Sequence, residues 1–176
     1  MKKLSFFSMM CLTALSIVAI ISCTKNDDET EEPEPIIDSY VDLGLPSGTK
    51  WKTVNEVNPN KDENDFYTWD EAMAAFGNEL PTLEQFVELY NNCSWTWNGT
   101  KKGYDVKGGN GNSIFLPAVG YRECNGNVIF EGEFGSYWSS TPYGSEEACN
   151  LHFLSIDVST WYLPRCSGLS VRLVQN

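Results

Sequence analysis

Hydrophobic positions along this chain fall into distinct textures, and each predicts a different kind of structure. Residues 6–21 are apolar almost without a break, interrupted only by Ser8, Thr13 and Ser16. Residues 24–38 (TKNDDETEEPEPIID) are acidic, carry Pro33 and Pro35, and hold few apolar side chains. From Tyr40 the pattern shortens. Tyr40-Val-Asp-Leu-Gly-Leu alternates apolar with polar residues, the period of a half-buried strand. Pro46-Ser47-Gly48 is turn chemistry, residues 50–54 (KWKTV) read as the next strand, and residues 58–65 read as a polar loop.

Two short helices are predicted next. Thr68 precedes Glu71 by three residues, the spacing of a capping box, and Gly77 can end that helix. Thr82 and Gln85 repeat the device. Leu83, Phe86, Val87 and Tyr90 then fall at i, i+3, i+4 and i+7, which predicts one apolar face, and Asn91-Asn92 ends the element. Beyond Cys93 the chain reads as strands and turns. Residues 94–96 alternate aromatic and polar. Residues 108–112 (GGNGN) are a loop, residues 113–122 are strand-like, and Asn125-Gly126 is a hairpin turn. Further strands are predicted at 137–140, 149–154, 158–163 and 170–174. Helices early and alternating strands late give an α+β domain with a mostly antiparallel twisted sheet.

The first two textures fit an export leader and a tether. Lys2 and Lys3 precede the apolar run, which is short and interrupted for a membrane span of ~20 residues. Ile20-Ile21-Ser22-Cys23 resembles a bacterial lipobox, with isoleucine where leucine is usual. Residues 1–22 are therefore expected to be a lipoprotein signal peptide, and Cys23 the acylated N-terminus of the mature chain. Each buried CH₂ of an acyl chain contributes ~0.8 kcal/mol, so several chains anchor stably. Residues 23–38 cannot bury enough apolar surface to offset ordering entropy, and read as a disordered tether. The acidic cluster after Cys23 resembles the surface-export signal of Bacteroides-group lipoproteins, which implies the outside of an outer membrane. Residues 39–176 are the expected folded domain. The whole sequence has net charge −12 from 12 basic and 24 acidic residues. Seven acids lie in residues 24–38, leaving 17 acids and nine bases on the domain. Such a surface repels phosphate backbones, so nucleic acid is not an expected partner.

The landmarks of the domain resemble the Fibrobacter succinogenes major paralogous (FISUMP) domain family. The matching stretches are residues 40–51 (YVDLGLPSGTKW), 80–86 (LPTLEQF), 91–97 (NNCSWTW), 110–122 (NGNSIFLPAVGYR), 137–143 (YWSSTPY) and 170–174 (SVRLV), in the family's order. The resemblance implies a C-type-lectin-like fold, loosely related to formylglycine-generating enzymes. It implies no established activity. Between Trp51 and Leu80 the chain is shorter than in the family and lacks its glycine-rich stretch. Val54 stands where many members have cysteine, and residues 131–134 make an atypical loop.

Candidate chemistry is sparse. Cys11 belongs to the leader and Cys23 to the anchor, so Cys93, Cys124, Cys149 and Cys166 remain, with three possible pairings. Cys149 and Cys166 flank a hairpin expected near Asp157-Val158 and would face each other, which favours that pair; Cys93–Cys124 is the complement. No CxxC spacing and no second histidine support zinc. His152 lies three residues after Cys149, on the opposite face of a strand, and reads as a satisfied strand histidine. Glu131 and Glu133 share a strand face without an opposing groove and read as a solvated loop. Asn60, Asp62, Asn64 and Glu71 match positions 1, 3, 5 and 12 of an EF-hand loop, but Asp65 stands where the sharp turn needs glycine. The lectin calcium motifs EPN and WND are absent. No metal or other cofactor is expected.

The aromatic residues carry the functional expectation. Trp51, Trp95 and Trp138 sit in framework motifs and read as core. Tyr143, Trp161, Tyr162 and Arg165 fall in the variable stretches, where a lectin-like fold builds its ligand surface. The expected function is a lipid-anchored, surface-exposed, non-catalytic module that binds a glycan or a protein, in adhesion or capture. The alternatives are a structural or tip subunit of a surface appendage and, third, an enzyme similar to formylglycine-generating proteins. That enzyme would need Cys149 and Cys166 as its active thiols.

Overall fold

Threonine hydroxyls start both helices, as the spacing predicted. In the computed structural model, which describes residues 39–59 and 65–176, helix α1 spans Trp69–Phe76 and helix α2 spans Leu83–Asn92. The Glu71 amide donates to Thr68 Oγ1 while the Thr68 amide donates to the Glu71 carboxylate at 2.9 Å. Thr82 and Gln85 exchange the same pair of bonds at 3.2 and 2.8 Å. Gly77, with φ 51°, ends α1 in a conformation that costs other residues more, and leads into a 3₁₀ turn over Gly77–Glu79. The buried stripe of α2 is rotated from the predicted one. Phe86 and Leu89 are buried, while Val87 and Tyr90 are exposed. Phe86 packs on Trp51 with ring centroids 5.3 Å apart, and this contact sets the face.

The strands are β1 (Tyr40–Asp42), β2 (Lys50–Lys52), β3 (Ser94–Asn98), β4 (Gly103–Lys107), β5 (Ser113–Pro117), β6 (Tyr121–Arg122), β7 (Val128–Ile129), β8 (Gly135–Tyr143), β9 (Glu147–Leu154), β10 (Asp157–Pro164) and β11 (Val174–Gln175). They form antiparallel ladders in the orders β1-β2-β11, β3-β4-β5, β10-β9-β8 and β6-β7. Parallel bridges join Gly120 to Gly135 and Tyr137 to Ser170. The architecture is α+β, with two short α-helices and mostly antiparallel pairing.

Several strands differ from expectation for local reasons. Strand β4 was not anticipated, although Tyr104 and Val106 bury alternately along it. The predicted strand over 113–122 breaks after Pro117. Gly120 turns there with φ 74°, and a Cβ on it would strike the Ile129 carbonyl. Residues 170–173 are held by the Ser170 bridge, by the Val171 and Leu173 carbonyls accepting from the Glu56 and Lys52 amides at 3.0 Å, and by the Arg172 side chain, and only Val174 and Gln175 form a ladder.

The β8-β9-β10 sheet parts two hydrophobic clusters by simple alternation. Tyr137, Leu151 and Phe153 enter a cluster with Trp51, Phe86, Leu89, Val106 and Leu116. Trp138 and Ala148 enter the other, with Tyr67, Trp69, Ala72, Leu80, Leu169 and Val171.

The favoured Cys149–Cys166 pairing is overturned: the disulfide joins Cys124 to Cys166. Leu154 pairs with Asp157, so the β9–β10 turn lies two residues earlier than the sequence suggested. That register puts Tyr162 opposite Cys149, and Cys166 falls beyond the end of β10. Its nearest partner is then Cys124, in the β6–β7 turn, with Cα atoms 5.1 Å apart. The Cys93–Cys124 alternative falls with it, and Cys93 and Cys149 are free thiols.

Candidate functional site

The face of β9 that carries Ala148 into the second cluster continues with Asn150 and His152. Across the ladder from these stand Trp161 and Ser159 of β10. Asp157 opens β10 at one end of the row, and Leu163 closes it at the other. Tyr121 from β6 and Phe134, just before β8, rise opposite. Together these eight side chains line a groove of about 420 Å³.

The groove has aromatic walls. Phe134 lies parallel to the His152 ring, centroids 5.6 Å apart, and Tyr121 meets Phe134 at 5.7 Å. Phe130, exposed, extends this wall at 6.3 Å from Phe134. Trp161 stands on the other side with 57% of its surface exposed. Between the walls the surface is polar. Asn150 is only 1% exposed, yet neither its Nδ2 nor its Oδ1 has a hydrogen-bond partner among the described residues. The buried hydroxyl of Ser136, paired across from His152 on β8, is likewise without one. Such groups are uncommon, because a buried polar atom left unpaired costs ~1–3 kcal/mol. Burial lowers the His152 pKa, with the charge of Asp157 opposing, so its imidazole is neutral near neutral pH. No arginine or lysine lines the groove.

Of the residues expected to bind ligand, only Trp161 is in this groove. Tyr143 and Tyr162 stack on each other at 4.0 Å, and Tyr162 also stacks with Trp161 at 4.9 Å. The two tyrosines therefore back the groove's tryptophan and do not line it. Arg165 is committed elsewhere. Its guanidinium lies 4.1 Å from the Trp69 ring centroid and donates to the Glu147 and Gly144 carbonyls at 3.2 and 3.1 Å. His152 lies on strand β9 as expected, and its ring stacks on Phe134. Asn150, Asp157, Ser159, Tyr121 and Phe134 were missed. The available signal was the polar alternation Asn150, His152 in a strand otherwise rich in apolar residues.

The remaining candidates resolve as follows. Cys149 is buried, and burial, helped by Glu84, raises its pKa. It faces away from His152. Glu131 and Glu133 are exposed in a turn. Glu71 serves the α1 cap, while Asn60, Asp62 and Asn64 lie outside the described residues, as do Cys11, Cys23 and the expected leader and tether. Among the described residues no group of three or more His, Cys, Asp or Glu could hold a metal, and no helix is long and apolar enough to cross a membrane. A second depression, of about 550 Å³, is lined in part by Val57, Tyr67, Glu71 and Phe76. No family model, curated protein or solved structure matches the chain.

Proposed function

We propose that this chain is a non-catalytic binding module of the C-type-lectin-like, FISUMP-related kind, displayed on the outer membrane through an acylated Cys23, and that its ligand is a glycan held in the β9–β10 groove. The observation that carries this is the pairing of flat aromatic walls with a buried, unpartnered amide in one concave site. Aromatic faces stack on the C–H faces of sugar rings, and unpaired polar groups between them fix orientation. Support for the lectin-like class comes from the ordered motifs, the two capped helices and the antiparallel ladders.

The formylglycine-like alternative loses its thiol pair, because Cys166 is bonded to Cys124 and the Cys149 thiol is raised and buried. The appendage-subunit alternative has one favouring observation. Strand β10 is an edge of its sheet, and Ile156 at its turn is 90% exposed, which suits strand addition by a protein partner.

Binding of the purified protein to an array of glycans and to candidate host proteins tests the proposal. Trp161→Ala should weaken glycan binding by about tenfold or more, the loss expected for a stacked aromatic. Glycan binding indifferent to Trp161, or binding confined to proteins and abolished by Thr160→Pro in the edge strand, would reject it.

A further inference from the structure

Resting on the assignment of the groove to a glycan, we infer that its ligand is a neutral sugar recognised through adjacent hydroxyl groups, and that carboxylated or sulfated sugars are excluded.

An asparagine amide presents a donor and an acceptor side by side. Vicinal hydroxyls on a sugar ring match that pair, one accepting from Nδ2 while its neighbour donates to Oδ1. Asn150 has both atoms uncommitted. Ser159 and His152, directly paired across the strands, continue the row with a hydroxyl and an uncharged imidazole. Asp157 ends it with a carboxylate that accepts from hydroxyls and repels anions. No basic side chain lines the groove to receive an acidic sugar, and the domain around it is itself acidic. The volume of about 420 Å³ lies toward the small end of ligand sites, ~300–1,000 Å³, which suits a few rings at most.

Access to the amide is past Trp161. That residue pairs directly with Asn150 across the ladder, and its more than half-exposed ring has solvent to turn into. Sugar binding should therefore change tryptophan emission.

One variant separates a ligand role from a structural one. Asn150→Leu keeps the branched four-atom skeleton, at a somewhat greater volume, and removes the unpartnered amide. If the amide serves only a ligand, stability should hold or rise while affinity falls, because a buried desolvation cost is removed with no bond lost. Asp157→Asn, at the start of β10, is the second variant and keeps shape while removing charge.

The experiment titrates the whole protein by calorimetry and tryptophan emission with neutral lactose, mannotriose and triacetylchitotriose, each set against sialyllactose and a sulfated disaccharide. At least one neutral sugar should bind about tenfold or more tighter than the anionic ones, and both variants should weaken it by about tenfold or more with melting temperature unchanged or raised. Tighter binding of the anionic sugars, or a stability loss in Asn150→Leu with sugar affinity intact, overturns the neutral-diol chemistry and leaves the groove as a glycan site. A ligand that is a peptide and depends on Trp161 removes the sugar altogether. Binding of every probe indifferent to Trp161→Ala removes the site itself.

Discussion

Arg172 shows how much a single side chain can join. It is 1% exposed, and its hydrogen bonds go to neutral oxygens. Its guanidinium donates to Asn55 Oδ1 at 2.9 and 2.6 Å, to the Lys52 carbonyl at 2.9 Å and to the Phe115 carbonyl at 2.8 Å. One planar fork thus ties the end of β2 and the middle of β5 to the segment just before β11. Burial lowers its pKa, yet the neutral acceptors keep it satisfied. Arg172→Ala leaves a large cavity and several buried acceptors unpaired, so it should cost about 3 kcal/mol or more, read from urea unfolding midpoints. Arg172→Lys should recover little of this, because an ammonium cannot make the fork. A near-wild-type midpoint for the alanine variant would contradict the role.

His152 makes a prediction about pH at the same scale. Burial holds its pKa below the ordinary 6.5. As pH falls through about 6.5, the unfolded chain takes up a proton that the folded chain resists, so stability decreases with acid and is flat above that pH for this group. His152→Gln should reduce the loss in melting temperature between about pH 7.5 and about pH 5.5. An acid loss as large in the variant as in the parent would rule this out. Tyr137 acts at the other end of the scale. Its buried phenol donates to the Pro117 carbonyl at 2.7 Å, and its pKa is pushed up to about 12. The stability it contributes is fully present below about pH 10 and is lost as pH rises from there through about 12.

Elements were legible in the sequence where their signals are local. Both helices announce themselves through residues three apart, and their ends match the capping boxes. The buried face of α2 was not, because Phe86 turns toward Trp51, a partner 35 positions away in the chain whose placement no local periodicity encodes. The β9–β10 register was missed for a related reason. Its two-residue turn is Ser155-Ile156, which lacks the Asn-Gly or Asp-Gly signature that would have fixed it. A displaced turn then paired the wrong cysteines. The correct bond, Cys124–Cys166, clamps the β6–β7 hairpin to the segment after β10, beside the reciprocal backbone bonds of Arg122 and Gly168 at 2.8 Å. It closes a loop of 42 residues' separation, for which chain entropy gives about 4 kcal/mol. Because β6 carries Tyr121, a groove wall, Cys124→Ser should lower both melting temperature and ligand affinity, whereas Cys149→Ser should leave affinity unchanged. Equal effects of the two substitutions on affinity would argue against the clamp.

At the scale of the molecule, a β-sheet separates two apolar clusters and leaves one end of one face outside both. The groove occupies that end. Alternation explains its composition: the positions that bury Trp138 and Ala148 become Ser136, Asn150 and His152 once the second cluster stops. Trp161 could be picked from the sequence because it falls in a stretch between the framework motifs, but so could Tyr162, which the structure turns behind it. The remaining lining residues come together only through the β8-β9-β10 register and the placement of β6, so pattern alone could not assemble them. On the proposed reading, specificity in this acidic domain comes from hydrogen bonds and stacking rather than from attraction of opposite charge.

The most direct test maps where ligand touches. In a nuclear magnetic resonance titration of the labelled protein with the neutral oligosaccharides, the Trp161 indole, the Asn150 side-chain amide and the His152 ring should shift together and saturate at one dissociation constant, while Val57 and Phe76 beside the other depression stay unmoved. Shifts centred on Val57 and Phe76, or saturable binding that leaves Trp161 and Asn150 untouched, would contradict the account.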